Sequence, residues 1–124
     1  MIESVRVSEK ARIQLITLKK RNGIENWNVL CRWAFCLSLA ERSVPPFEDI
    51  PADSSVEMSW RVFTGGLEEV YWALLLTRAK RDGIPLERDS LVSYFRIHLH
   101  RGISYLNGMN SNQSIADFAR LALA

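Results

Sequence analysis

Apolar and polar positions along the chain change period repeatedly, and each change marks an element. Over residues 3–7, Val5 and Val7 alternate with Ser4 and Arg6, the period-two pattern of a short strand. Ser8 has the character of a helix N-cap, with Glu9 in the first turn where the helix dipole favours an acid. Ala11, Ile13, Leu15, Ile16 and Leu18 then form an apolar stripe, Lys10, Arg12, Gln14, Lys19 and Lys20 fill the rest, and Asn22-Gly23 ends the helix. A second helix is predicted over 25–41, and between Trp27 and Ala40 only Asn28, Arg32 and Ser38 are polar. Such a helix must be buried on more than one side. One small chain offers little to cover it, so the pattern predicts a subunit interface carried by Trp27, Leu30, Trp33 and Leu37.

Val44-Pro45-Pro46 ends that helix, and an acidic loop with Glu48, Asp49 and Asp53 fills 43–55. Val56, Met58, Trp60 and Val62 alternate with Glu57, Ser59 and Arg61, predicting a half-buried strand over 56–62. Gly65-Gly66 turns the chain into a helix over 67–81, with Val70, Tyr71, Leu74, Leu75 and the stem of Arg78 inward; Gly83-Ile84-Pro85 stops it. A further helix starts near Asp89-Ser90 and carries Leu91, Val92, Phe95, Leu99, Tyr105 and Leu106. A polar loop over 107–113 and a short helix over 115–123, capped by Ser114, complete the outline. The fold class is α+β and mainly helical. It opens with a ribbon–helix–helix-like strand–helix–helix unit, followed by a strand and further helices.

Length and composition add bounds. The 124 residues read as one domain, with 1–42 as the strand–helix–helix unit, 43–55 as the acidic loop and 56–124 as strand and helices. The apolar share of 48% and charged share of 24% are ordinary for a globular protein. Met1-Ile2-Glu3-Ser4-Val5-Arg6 has no basic region followed by an apolar run, so no signal peptide is expected, and the apolar run from Val29 to Ala40 is too short to span a bilayer. The expectation is a cytoplasmic protein with no membrane contact. Cys31 and Cys36 point apart on one helix and read as small buried hydrophobes rather than a redox pair.

Net charge is only +2, but it is unevenly placed. Residues 1–42 carry eight Lys/Arg against four acids, 43–77 one against six, and 78–124 seven against four. In a ribbon–helix–helix design two chains pair their strands into a ribbon that enters the major groove. Ser4 and Arg6 would be the outward strand positions, helix termini near Gly23 would meet phosphates, and Lys10, Arg12, Lys19, Lys20 and Arg21 would neutralise them. The plainer reading is a solvated basic face.

Signals for catalysis are weak. His98 and His100 lie roughly 200° apart on a helix and cannot share a metal. Glu48, Asp49, Asp53 and Glu57 surround a proline-rich loop with no nucleophile or base beside them. Gly65-Gly66 lacks the residues of a phosphate loop, and no serine or cysteine sits in a nucleophile motif. No catalytic residue, metal or cofactor is assigned. Trp27, Trp33, Trp60, Trp72 and Tyr71 fall on apolar faces and read as core rather than base-stacking platforms.

The segments Ile2-Glu3-Ser4-Val5-Arg6-Val7-Ser8-Glu9-Lys10-Ala11 and Gly23-Ile24-Glu25-Asn26-Trp27-Asn28-Val29-Leu30-Cys31-Arg32-Trp33-Ala34 resemble the DndE family. So do the Pro45-Pro46 to Trp60 region and Phe95-Arg96-Ile97-His98-Leu99-His100-Arg101-Gly102. The resemblance implies a component of a bacterial system that replaces a non-bridging phosphate oxygen of DNA with sulfur. In that system a cysteine desulfurase and an iron–sulfur, ATP-using partner supply the sulfur. It further implies binding of double-stranded DNA with preference for nicked duplex, assembly as a homotetramer, and contact through Lys10, Lys19, Lys20 and Arg21, with Arg6 and Arg12 beside them. No residue matches a nuclease pattern. Two other classes stay open: a scaffold that bridges protein partners through the acidic middle, and a metal-dependent DNA nickase using the acidic loop.

Overall fold

A computed structural model describes residues 1–109, and the helix anticipated over 115–123 lies outside them. Strand β1 (Ser4–Arg6) leads into helices α1 (Glu9–Asn22) and α2 (Trp27–Ala40). The 43–55 loop follows, then strand β2 (Glu57–Ser59), a short helix α3 (Trp60–Thr64), α4 (Glu68–Arg81) and the long α5 (Arg88–Gly108). The α+β, mainly helical outline with its strand–helix–helix opening is the one the sequence indicates.

Local chemistry accounts for the boundaries. Ser8 Oγ accepts the Ala11 N–H at 3.1 Å, and Gly23 takes φ 70° to close α1 through Lys19 O. The strand anticipated over 56–62 stops at Ser59, whose Oγ accepts the Val62 N–H at 3.1 Å. That cap begins α3 and buries Trp60 and Phe63, three residues apart, on one helical face. α5 starts one residue before Asp89 and continues through Asn107 and Gly108, where the sequence suggested a loop.

Strand β1 finds its partner within its own chain. It pairs antiparallel with β2 in the register Ser4↔Ser59, Val5↔Met58, Arg6↔Glu57, extended by Val7 N–H to Val56 O and Trp60 N–H to Glu3 O. This replaces the anticipated pairing of strands from two chains on that edge. Ser54 Oγ donates to Val7 O at 2.7 Å, and Glu9 N–H donates to Asp53, so the end of the acidic loop is tied to the start of α1.

The core runs through every element. Val5, Leu15, Leu18, Leu30, Phe35, Trp60, Phe63, Leu75, Phe95, Leu99 and Ile103 belong to one buried cluster. α2 lies at its centre, mainly against α5. There Gly102 meets the Ala34 carbonyl so closely that any Cβ would overlap it. This corrects the premise of the interface expectation. Leu30, Cys31, Ala34, Phe35 and Ser38 are buried by the chain's own helices, with Leu30 at 1% exposure, so their apolarity needs no second subunit. Trp27, Trp33 and Leu37 remain half-buried. Other inward assignments also change: Ile13 on α1, Val62 on α3, Val70 and Leu74 on α4 and Tyr105 on α5 face solvent.

The end of α2 is held by arginines from two other helices. Arg78 donates to Leu39 O and Glu41 O at 2.7 Å and to Ser43 O at 3.1 Å. Arg101 donates to Ser38 Oγ at 2.8 Å, Ser38 O at 2.7 Å and Ser43 O at 3.0 Å. The carbonyls a helix leaves unpaired at its C-terminus are thereby satisfied by charged donors.

Candidate nucleic-acid interface

The six cations singled out in the sequence lie on β1 and α1, and the structure sorts them by what each already holds. Ala11, Leu15 and Leu18 are the buried line of α1, which leaves the other side of the helix to solvent. Lys10 and Lys20 stand on that side, exposed, and form no ion pair among the described residues. Lys19 is half-buried, its Nζ 4.1 Å from the centroid of the Trp27 ring. This cation–π contact fixes a side chain that would otherwise sweep a wide arc. Arg21 reaches the far end of α5 and donates to Asn107 O at 3.1 Å and Met109 O at 3.2 Å.

The remaining two are paired. Arg6 projects outward from β1 as anticipated, but its guanidinium meets the Glu57 carboxylate at 2.5 Å. Arg12 holds Glu9 at 2.5 Å, an i,i+3 pair. The hydrogen bond from Arg12 holds the Glu9 carboxyl below its ordinary range and raises Arg12 in turn. Both pairs are solvent-facing, so phosphate can compete for either arginine.

A cleft of about 280 Å³ opens beside Lys10, lined also by Gln14, Glu48 and His100. His100 crosses from α5 to α1: its Nδ1–H donates to Arg96 O at 2.8 Å and its Nε2 accepts the Ser8 N–H at 3.0 Å. An amide can only donate and a carbonyl only accept, which fixes the tautomer. Burial lowers the pKa of His100.

His98 points into the core on a different side of α5. It is fully buried and bonds Ser38 Oγ through Nδ1 at 2.8 Å. Burial, then the charges of Arg101 and Arg78, push its pKa down to about 3. The two histidines thus keep the separation read from the helical period. Among the described residues no group of three or more His, Cys, Asp or Glu is arranged to hold a metal ion. Asp53 of the acidic loop accepts the Glu9 N–H at 2.8 Å, and Glu57 on β2 is bound to Arg6. Cys31 is buried, its thiol pushed up to about 12 by desolvation, and Cys36 Sγ lies 3.9 Å from the Tyr71 hydroxyl. Trp60 is buried, while Trp27, Trp33 and Trp72 pack half-buried against the core.

Sequence reading missed what the guanidinium groups of Arg78 and Arg101 hold. Arg78, Asp82 and Tyr94 form a buried triad, with Arg78 Nε to Asp82 at 2.9 Å and the Tyr94 hydroxyl donating to the same carboxylate oxygen. The sequence placed the stem of Arg78 inward and held Asp82 at i,i+4 spacing from it, but gave no sign of the triad or of the α2 carbonyls the two arginines serve.

A strand paired within its own chain, two helices beyond it and a long helix closing the core define an α+β class with a solved example. The fold matches the crystal structure of DndE from Escherichia coli B7A, involved in DNA phosphorothioation modification. The TM-score is 0.70 at 23% identity, over 86% of this chain and 98% of that one. The family model described as DNA sulphur modification protein DndE matches residues 4–114, and the chain belongs to the DndE family. No curated protein matches it. Among the described residues, no helix is long and apolar enough to cross a membrane.

Proposed function

We propose that this chain is a non-catalytic, double-stranded-DNA-binding component of the cytoplasmic DNA sulfur-modification machinery, that it favours nicked duplex, and that the cations of α1 make the principal contacts. The outer face of α1 carries this reading. Lys10 and Lys20 are exposed without a carboxylate partner among the described residues, Lys20 standing between Lys19 on Trp27 and Arg21, in a chain of a DNA-modification family. Two ammonium groups on one helix make a weak site. A homotetramer, part of the same proposal, repeats the face and links several phosphate contacts. Such binding is largely indifferent to base sequence and falls steeply with salt, because each neutralised phosphate releases counterion. A nick favours it by lowering the cost of bending duplex onto the surface. The engagement of Asp53 and Glu57 with the chain's own groups supports a role without hydrolysis.

Fluorescence anisotropy with intact and nicked duplex, titrated with salt, tests the reading. The Lys10→Ala/Lys20→Ala variant should bind every sequence more weakly and flatten the log–log salt slope by roughly two units. A folded variant with the parent's mass and slope moves the contact face elsewhere. A monomer mass by light scattering at micromolar concentration removes the tetramer. Plasmid nicking with Mg²⁺ that Asp49→Ala abolishes restores the nickase reading.

A further inference from the structure

A second surface differs in character from the outer face of α1. Between the 43–50 loop, the turn after α4 and the first half of α5 lies a groove of about 540 Å³, walled by Val44, Phe47, Ile84, Pro85, Tyr94 and Ile97. Phe47 is 80% exposed and Val44 52%, and Leu86, next in the chain to Pro85, is 55% exposed. Contiguous apolar surface of this kind, over a concave wall, marks an interaction site on a soluble protein. Its loop wall is anchored in advance, because Arg78 and Arg101 both donate to Ser43 O, one residue before Val44.

The rim is acidic. Asp89 lines both the groove and an adjoining cleft that holds Glu48 and Asp49, and Glu87 caps α5 beside them. None of these four carboxylates forms an ion pair among the described residues. Arg88 and Arg96 stand on the same cleft, Arg96 reaching Ile50 O at 3.4 Å, so the rim keeps a negative excess. Pairing of the groove with itself in a second copy would bring two acidic rims together, which like-charge juxtaposition disfavours.

We propose that this groove docks a short segment of a partner protein presenting an apolar anchor, aromatic or leucine-like, flanked by lysine or arginine. The apolar wall takes the anchor and excludes water. Glu48, Asp49 and Asp89 meet the flanking cations and set the register of the segment. DNA and protein partner would then occupy adjoining surfaces that meet at Glu48, which also lines the cleft beside Lys10, and the groove stands whether or not the α1 reading holds.

Selection of random phage-displayed peptides on the immobilised full-length protein tests this, with recovered peptides synthesised and titrated by anisotropy. The recovered sequences should share an apolar anchor beside Lys or Arg. Their affinity should fall roughly tenfold or more in Phe47→Ser/Leu86→Ser. It should fall also in Asp89→Lys, while duplex DNA binds Phe47→Ser/Leu86→Ser as it binds the parent. The substituted side chains are exposed, and an unchanged melting temperature confirms that each variant is folded. Failure to enrich any peptide, enrichment of acidic peptides, or affinity indifferent to Phe47 and Leu86 overturns the proposal. So does self-association that Phe47→Ser/Leu86→Ser abolishes, which would assign the groove to a second copy.

Discussion

Replacing Arg78 by methionine removes a charge from the most enclosed ion pair among the described residues while keeping an unbranched stem in its place. Arg78 and Asp82 side chains are 7% and 3% exposed, and the guanidinium also serves Leu39, Glu41 and Ser43 carbonyls. The substitution leaves the Asp82 carboxylate with the Tyr94 hydroxyl and the more distant Arg81 Nε at 3.3 Å. Breaking a buried pair from one side costs about 3–5 kcal/mol. Arg81 softens that loss, while the released carbonyls each add about 1 kcal/mol where water does not reach them. A net loss of about 4 kcal/mol corresponds to a melting temperature lower by roughly 10–20 °C for a chain of this size. Thermal unfolding followed by circular dichroism at neutral pH reads it directly. Acid supplies a second signature. Burial alone would raise the Asp82 carboxyl, but the bonds from Tyr94 and Arg78 and the charges of Arg78 and Arg81 hold it below its ordinary 3.8. A carboxyl depressed on folding contributes stability that is complete above its ordinary value and is lost as pH falls through the folded one. The gap between parent and Arg78→Met should therefore be widest near neutrality and narrow in acid. A variant within about 1 kcal/mol of the parent, or a gap constant with pH, refutes the assignment of Arg78 as the clasp of α2.

Gly102→Ala should cost about 3 kcal/mol or more, because its Cβ would overlap the Ala34 carbonyl and force α2 and α5 apart; denaturant unfolding at parental stability would contradict the helix crossing. The His98 ring resonances should stay at their neutral-form positions through pH 5 and shift only toward about 3. Because folding depresses this histidine, the unfolded chain binds the extra proton, and His98 costs stability progressively as pH falls from 6.5 toward about 3. An NMR titration with an ordinary midpoint would place the ring in solvent.

What the sequence revealed and what it hid divide along one physical line. Elements set by local chemistry were legible: the Ser8 cap, the Gly23 stop, the Val5/Val7 alternation and the separation of His98 from His100 all follow from a few neighbouring residues. The strand anticipated over 56–62 forms at Glu57–Ser59 and ends early for an equally local reason, since Ser59 is as good a helix cap as a strand residue and Trp60 and Phe63 bury together at helical spacing. Long-range features were hidden. The all-round apolarity of α2 signals that it is covered, but not by what, and α5 supplies from the same chain much of the surface that a second subunit was invoked to provide. The cations were equally ambiguous. Lysines and arginines at similar spacing along α1 differ because Glu9, Glu57, Trp27 and the α5 terminus come to some of them and not to others. A charge pattern therefore locates a basic face, and only the fold says which of its charges remain to spend on a phosphate. Under the proposed DNA binding, Lys10 and Lys20 should dominate the salt dependence, Arg6 and Arg12 should contribute less than their charge, and Trp27 should matter through Lys19 rather than through any base.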